Sequence, residues 1–273
     1  MLIVKTQREF TENIPNAWAK GTNGKLINPI PNNEKLPLNE YFFFGILRGS
    51  GEMYKRCQFH GYNFYYADHA YFYNDKYSKN KCFRITKNGH TNYKITKRPD
   101  DRYKDFKSMM IKDWRKQGEH ILICPPSIFI QAFEKKFDWL HKTIKTIKKY
   151  TDRKIIIREK QQSLETIKRA NIKLPFINEE YSEDSLENDL KDAWCLVTYN
   201  SMVSLDSLTK GVPVFSNSKL CAAFELSEHD FSKIEEPYFP SNRQDLFNSL
   251  AYSQFTLNEM SSGYAYKIIN NLI

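Results

Sequence analysis

An α/β fold with doubly wound, largely parallel sheets is predicted by three features of this sequence. Short apolar runs recur at residues 41–47, 63–67, 121–124, 154–157, 195–198 and 212–215, with the length and composition of buried parallel strands. Segments with apolar residues at helical spacing lie between most of them. Polar turns follow the carboxyl ends of the runs, which is where open α/β folds hold ligands.

Composition bounds the answer. The 273 residues are 41% hydrophobic, enough to bury one large core or two small ones. No stretch approaches the ~20 apolar residues of a membrane span. The opening MLIVKTQREF is too short an apolar run for a signal peptide. Five scattered cysteines form no C-x-x-C pair, which predicts reduced thiols in a cytoplasmic protein and no zinc site. The net charge is +9, and residues 75–120 hold 14 Lys/Arg against 6 Asp/Glu, so 8 of those charges fall there. Tyr73, just before that segment, and Tyr77, Phe83, Tyr93, Tyr103, Phe106 and Trp114 within it offer rings for stacking on a polyanion. A solvated surface with core aromatics is the plainer alternative.

In chain order, residues 10–20 read as a helix and 21–39, rich in Gly, Pro and Asn, as loop. Residues 41–47 (YFFFGIL) are a strand. Arg48, Gly49, Ser50 and Gly51 make a turn, 52–60 a helix stopped by Gly61, and 63–67 a strand ending at Asp68 and His69. This βαβ unit lacks G-x-G-x-x-G, so no dinucleotide fingerprint is read. Residues 83–86 and 93–96 suggest a hairpin across the Asn88 and Gly89 turn, and 103–116 a helix. Strand 121–124 ends in Pro125, Pro126 and Ser127. The longest helix is expected over 128–150, with Phe129, Phe133, Phe137, Leu140, Ile144 and Ile147 at helical spacing.

Strand 154–157 leads to Arg158, Glu159 and Lys160, then to a helix over 163–170 and an acidic link. The stretch WCLVTYNSMVSLDSLTKGVPVFSN organises the second half. It reads as a strand, a turn at Tyr199, Asn200 and Ser201, a helix over 202–210, a stop at Gly211 and a strand. Asn200 and Ser201 are either plain helix caps or a phosphate-binding helix start. Residues 242–252 and 256–272 read as helices, the last with a Thr256/Glu259 capping box and a stripe of Leu257, Met260, Tyr264 and Ile268. The expected plan is two Rossmann-like domains, 1–117 and 118–273, around a cleft, with the last helix crossing back to pack on both. That is the GT-B plan of glycosyltransferases.

Four stretches carry a family resemblance: GILRGSGEMYKRCQFHGYNFYYADHAYF, WRKQGEHILICPPS, TYNSMVSLDSLTKGVPVF and RQDLFNSLAYSQFTLNEMSSGYAY. In this order they resemble a group of phage and bacterial glycosyltransferase-like proteins. The C-terminal half is similar to capsular polysaccharide transferases that use CMP-Kdo. The resemblance implies a GT-B-like fold, a nucleotide-sugar donor in the C-terminal domain and no metal or other cofactor. Related transferases tend to carry Arg or Lys with His-Pro after the strand that here runs 155–157, and this chain has Arg158, Glu159 and Lys160 without His-Pro.

The candidate site follows. Ser127, Asn200 and Ser201 would supply hydrogen bonds to the donor, and Arg158 and Lys160 positive charge for the leaving phosphate. Arg158 and Lys160 pairing with Glu179 or Glu180 is the structural alternative. Asp68, with His69 as rival, would take the acceptor proton, and Arg48 would touch a phosphate or the acceptor. The phage relatives and the basic segment favour a hydroxymethylated base in duplex DNA as acceptor. A capsule or lipopolysaccharide glycan, or a non-enzymatic nucleic-acid-binding role, are the alternatives.

Overall fold

The computed structural model describes residues 1–6, 11–47, 49–73, 81–105, 110–175 and 177–273. The chain divides into two α/β units. One comprises Met1–Asn92, Thr96–Phe106 and Phe247–Ile273, the other Tyr93–Ile95 and Lys107–Leu246.

The first unit opens with β1 (Leu2–Val4), α1 (Asn13–Thr22) and β2 (Lys25–Ile27). Neither strand is read from the sequence, because each is only three residues long. Strand β3 (Tyr41–Phe44), helix α2 (Ser50–His60) and strand β4 (Phe64–His69) form the expected βαβ unit, with β3 parallel to β4. Strand β5 (Cys82–Lys87) pairs antiparallel with β4, Tyr65 opposite Lys87. The expected hairpin to 93–96 is absent. Asn88, at φ 57°, accepts the Phe64 N–H through its side chain at 2.8 Å and so turns β5 away from that partner. The expected helix over 103–116 is also absent among the described residues, and 110–118 is irregular.

The second unit contains β6 (His120–Cys124), α3 (Ile128–Glu134), α4 (Trp139–Ile147), β7 (Lys154–Ile157), α5 (Gln161–Arg169), β8 (Glu180–Tyr181), α6 (Leu186–Lys191), β9 (Ala193–Thr198), α7 (Val203–Thr209), β10 (Val214–Phe215) and β11 (Ser227–Glu228). The long helix expected over 128–150 breaks in two at Lys135, which takes a left-handed φ of 54°. Phe137, counted on its apolar stripe, falls in the break and is exposed. The sheet order is β11-β10-β9-β6-β7-β8, all parallel. Its central strands β6 and β9 are buried end to end, apart from Trp194, as their unbroken apolar runs require.

Helix α8 (Arg243–Ala251) then leads back to the first unit, where β12 (Gln254–Thr256) adds an antiparallel edge beside β5. The completed sheet runs β12-β5-β4-β3-β1-β2. The predicted capping box forms at Thr256 and Glu259. The single helix expected over 256–272 becomes α9 (Leu257–Ser261) and α10 (Tyr264–Ile269), separated at Gly263, whose φ is 77°. Met260, Ala265 and Ile268 join Ile14, Trp18, Phe42 and Tyr65 in the core of the first unit. This burial explains why Phe247–Ile273 groups with that unit rather than with residues 118–246.

Candidate functional site

The sheet of the second unit has one topological switch. From β6 the chain winds out through β7 to β8; from β9 it winds the other way, through β10 to β11. The loops leaving the carboxyl ends of β6 and β9 therefore diverge, and a crevice opens between them. A cavity of about 760 Å³ lies there. It is lined by Cys124 and Pro125 at the end of β6, Arg158 to Gln161 after β7, Tyr181 to Asp184 at β8, and Ser201 and Val203 after β9.

The mouth is braced from the sheet. Thr198 Oγ1 donates to the Cys124 carbonyl at 2.7 Å and accepts the Ser201 N–H at 3.1 Å, so β6, β9 and the turn are tied at one hydroxyl. Ser201 is buried, and its Oγ accepts the Val203 N–H at 3.3 Å. Helix α7 starts after Met202, which has no side-chain cap. Of the pair Asn200 and Ser201, only Ser201 lines the cavity. Ser127 is the first residue before α3 and is not among the lining residues.

Arg158 lines the cavity but is anchored. Its Nη1 donates to Asp189 Oδ2 at 2.5 Å and to the Asp184 carbonyl at 2.8 Å. Asp189, buried in α6, also accepts the Ser182 hydroxyl at 2.6 Å. Glu179 and Glu180 are taken instead by Lys148 and Lys154. Arg158→Ala removes the cation from the buried Asp189 carboxylate and leaves it the neutral Ser182 hydroxyl as donor. It is expected to cost about 2 kcal/mol, measured by urea denaturation. Lys160 is exposed, forms no ion pair among the described residues and also lines the cavity.

Glu159 sits between them. Burial raises its carboxyl to about 7, against the opposing Lys160 N–H, Ser163 hydroxyl and Lys160 ammonium. The sequence places Glu159 at the end of an apolar strand but gives no sign of this burial, because the covering residues come from β8 and α5.

In the first unit, Asp68 stands near the end of β4. Oδ2 accepts Arg84 Nη2 at 3.0 Å and the Tyr66 hydroxyl at 2.8 Å, and Oδ1 accepts the His69 N–H at 2.7 Å. Burial alone would raise this carboxyl, but the Arg84 guanidinium, aided by His90, His69 and Tyr66, holds it below its usual range. Arg84 is buried, with Nη1 on the His69 carbonyl at 3.2 Å. His90 stacks on Tyr66 at 4.9 Å, and burial, then Arg84, pushes its imidazole down to about 3. Arg84 and His90 were hidden inside the basic segment, where charge suggests surface. The His69 ring is exposed and edges onto Phe44 at 6.1 Å. Arg48 lies outside the described residues.

Among the described residues, most aromatic rings of the basic segment pack against other side chains. Phe83 and Tyr103 are buried. Tyr93 packs on Phe224 at 5.5 Å. Trp114 packs on Phe239 at 5.6 Å, under the Arg243 guanidinium at 3.8 Å. Tyr77 and Phe106 lie outside the described residues. The five cysteines are free and buried. Among the described residues there is no cluster of three metal-ligating side chains and no helix long and apolar enough to cross a membrane.

No family model and no curated protein matches the chain at the level of sequence. Solved structures do match. The KpsC β-Kdo 2,4 transferase of Thermosulfurimonas dismutans is similar with a TM-score of 0.56 at 9% identity, over 98% of each chain. The β-Kdo 2,7 transferase of the same KpsC is similar with a TM-score of 0.53 at 12% identity, over 100% of this chain and 99% of that one. The fold is thus of the GT-B type, with two Rossmann-like units.

Proposed function

We propose that this protein is a glycosyltransferase whose second unit binds a nucleotide-sugar donor. The observation that carries the proposal is the cavity at the β6/β9 switch point, where Arg158, Lys160 and Ser201 converge in a GT-B-type fold. The names of the similar structures point the same way and favour a Kdo-type sugar. In the reaction, the acceptor oxygen bonds the anomeric carbon as the bond from that carbon to the phosphate oxygen breaks. The electron pair leaves on the phosphate, where Lys160 and Arg158 offset the charge. The acceptor proton passes to a carboxylate, for which Asp68 is the candidate. Held below its usual range, Asp68 is ionised at neutral pH and takes the proton only as bond formation acidifies the hydroxyl.

The proposed acceptor is a glycan hydroxyl. A hydroxymethylated DNA base draws its appeal from the basic segment and its rings, and four of those rings are committed to packing. The test is to incubate the protein with CMP- and UDP-sugars and either a glycan primer or a hydroxymethylated duplex. Transfer to the glycan is expected. Transfer to the duplex alone would replace the acceptor, and no sugar transfer or donor hydrolysis with any donor would remove the enzyme reading.

A further inference from the structure

The charges lining the cavity do not suit an anion when all are ionised. Arg158 and Lys160 bring two positive charges, and Glu159, Glu183 and Asp184 three negative ones. Arg158 is further offset by Asp189 behind the wall. A donor phosphate entering this lining meets a net negative charge unless one carboxylate takes a proton.

The three carboxylates are not equivalent. Glu183 and Asp184 are exposed, and hydrogen bonds from the Asn188 side chain and the Ser185 N–H hold Asp184 ionised. Glu159 is the half-buried one. Its Oε1 accepts the Lys160 N–H at 3.0 Å, and no cation forms an ion pair with it among the described residues. The groups facing it from the neighbouring strands give its charge no support. The Cys124 thiol of β6 is pushed up to about 12 by burial. The Tyr181 phenol of β8 is also raised, by burial and then by Glu159 itself. Both are neutral at pH 7. The Ser163 hydroxyl of α5 and the Lys160 ammonium do favour the charged form, but burial outweighs them.

We propose that the cavity binds its anionic ligand together with one proton, which Glu159 takes up. The proposal rests on the reading of this cavity as the donor site. Ligand charge beside Glu159 favours its neutral form further. A neutral carboxyl also turns from an acceptor that repels phosphate into a hydroxyl that donates to it. The sign follows from linkage. Below the carboxyl's value in the free protein, affinity does not depend on this group. Above that value, each added pH unit weakens binding up to tenfold, until the higher value of the complex is passed.

Isothermal titration with CMP and UDP between pH 7 and 8.5 tests this, in two buffers of different ionisation enthalpy. The wild-type Kd is expected to rise about tenfold across that range, with proton uptake read from the buffer dependence of the heat. Glu159→Gln is expected to bind with a Kd that stays flat and is about tenfold tighter than wild type at pH 8.5. A flat wild-type Kd without proton uptake overturns the proposal while leaving the donor site standing. A slope that persists in Glu159→Gln overturns it too. Absence of nucleotide binding at every pH, in both proteins, overturns the donor-site reading and this proposal with it.

Discussion

Gly211→Ala is expected to destabilise the second unit by more than about 3 kcal/mol, enough to leave much of the protein unfolded. Two effects add. Gly211 ends α7 at φ 74°, where an L side chain costs roughly 1–2 kcal/mol. A Cβ there would also lie 1.9 Å from the Asp113 carbonyl oxygen and 2.9 Å from its carbon, both backbone atoms that cannot rotate aside. The irregular segment is laid against this point. Lys112 N–H donates to the Thr209 carbonyl at 2.8 Å and Arg115 N–H to the Gly211 carbonyl at 2.7 Å, so making room breaks backbone hydrogen bonds as well. Gly61→Ala is the control. Gly61 has φ 67° but open space around a Cβ, so only the conformational cost of about 1 kcal/mol is expected. Urea denaturation of the two variants separates the terms, and equal losses would contradict the steric argument.

Asp68→Ala is expected to cost about 3 kcal/mol, because it leaves the Arg84 guanidinium buried beside a neutral neighbour. Its effect depends on pH with a fixed sign. The folded carboxyl lies below its ordinary value of 3.8, so its stabilisation is fully present above that value. It is lost as pH falls through the lower folded value. Wild type and Asp68→Ala should therefore differ most near neutral pH and converge in acid, as followed by thermal denaturation from pH 7 down to pH 3. A constant difference would mean that the ion pair is not what Asp68 contributes. Asp68→Asn keeps an oxygen toward Arg84 and loses the base. It should lower turnover by about 10²-fold with donor affinity little changed.

Strands β6 and β9 were legible because they are buried on both faces and so read as continuous apolar runs, whereas β8, two exposed residues, gave no such signal. The run at 154–157 matches β7 end for end, and Cys195 to Thr198 falls within β9. Helices were harder. Apolar spacing continues through 128–150, yet the backbone reverses hand at Lys135, and spacing alone does not register a local break. The turns around Arg158 and Ser201 were found as polar interruptions after strands. Thr198 reads only as the last residue of a strand, and nothing in the sequence shows that its hydroxyl ties the turn. Glu159 and Asp189 were missed because their environment is made by residues distant in sequence. Arg84 was missed for the opposite reason. A cation in a basic run suggests surface, and only the pairing of β4 with β5 brings it against Asp68.

Lys160 offers the most direct test of the donor site, since its ammonium holds no ion pair among the described residues and its removal should leave stability within about 0.5 kcal/mol of wild type. Titration of CMP and UDP into wild type and Lys160→Ala at pH 7 compares their affinities. The structure leads us to expect nucleotide binding by wild type and about tenfold weaker binding by the equally stable variant. Identical affinities, or no binding by wild type, would contradict the assignment of the β6/β9 cavity as the nucleotide-sugar site.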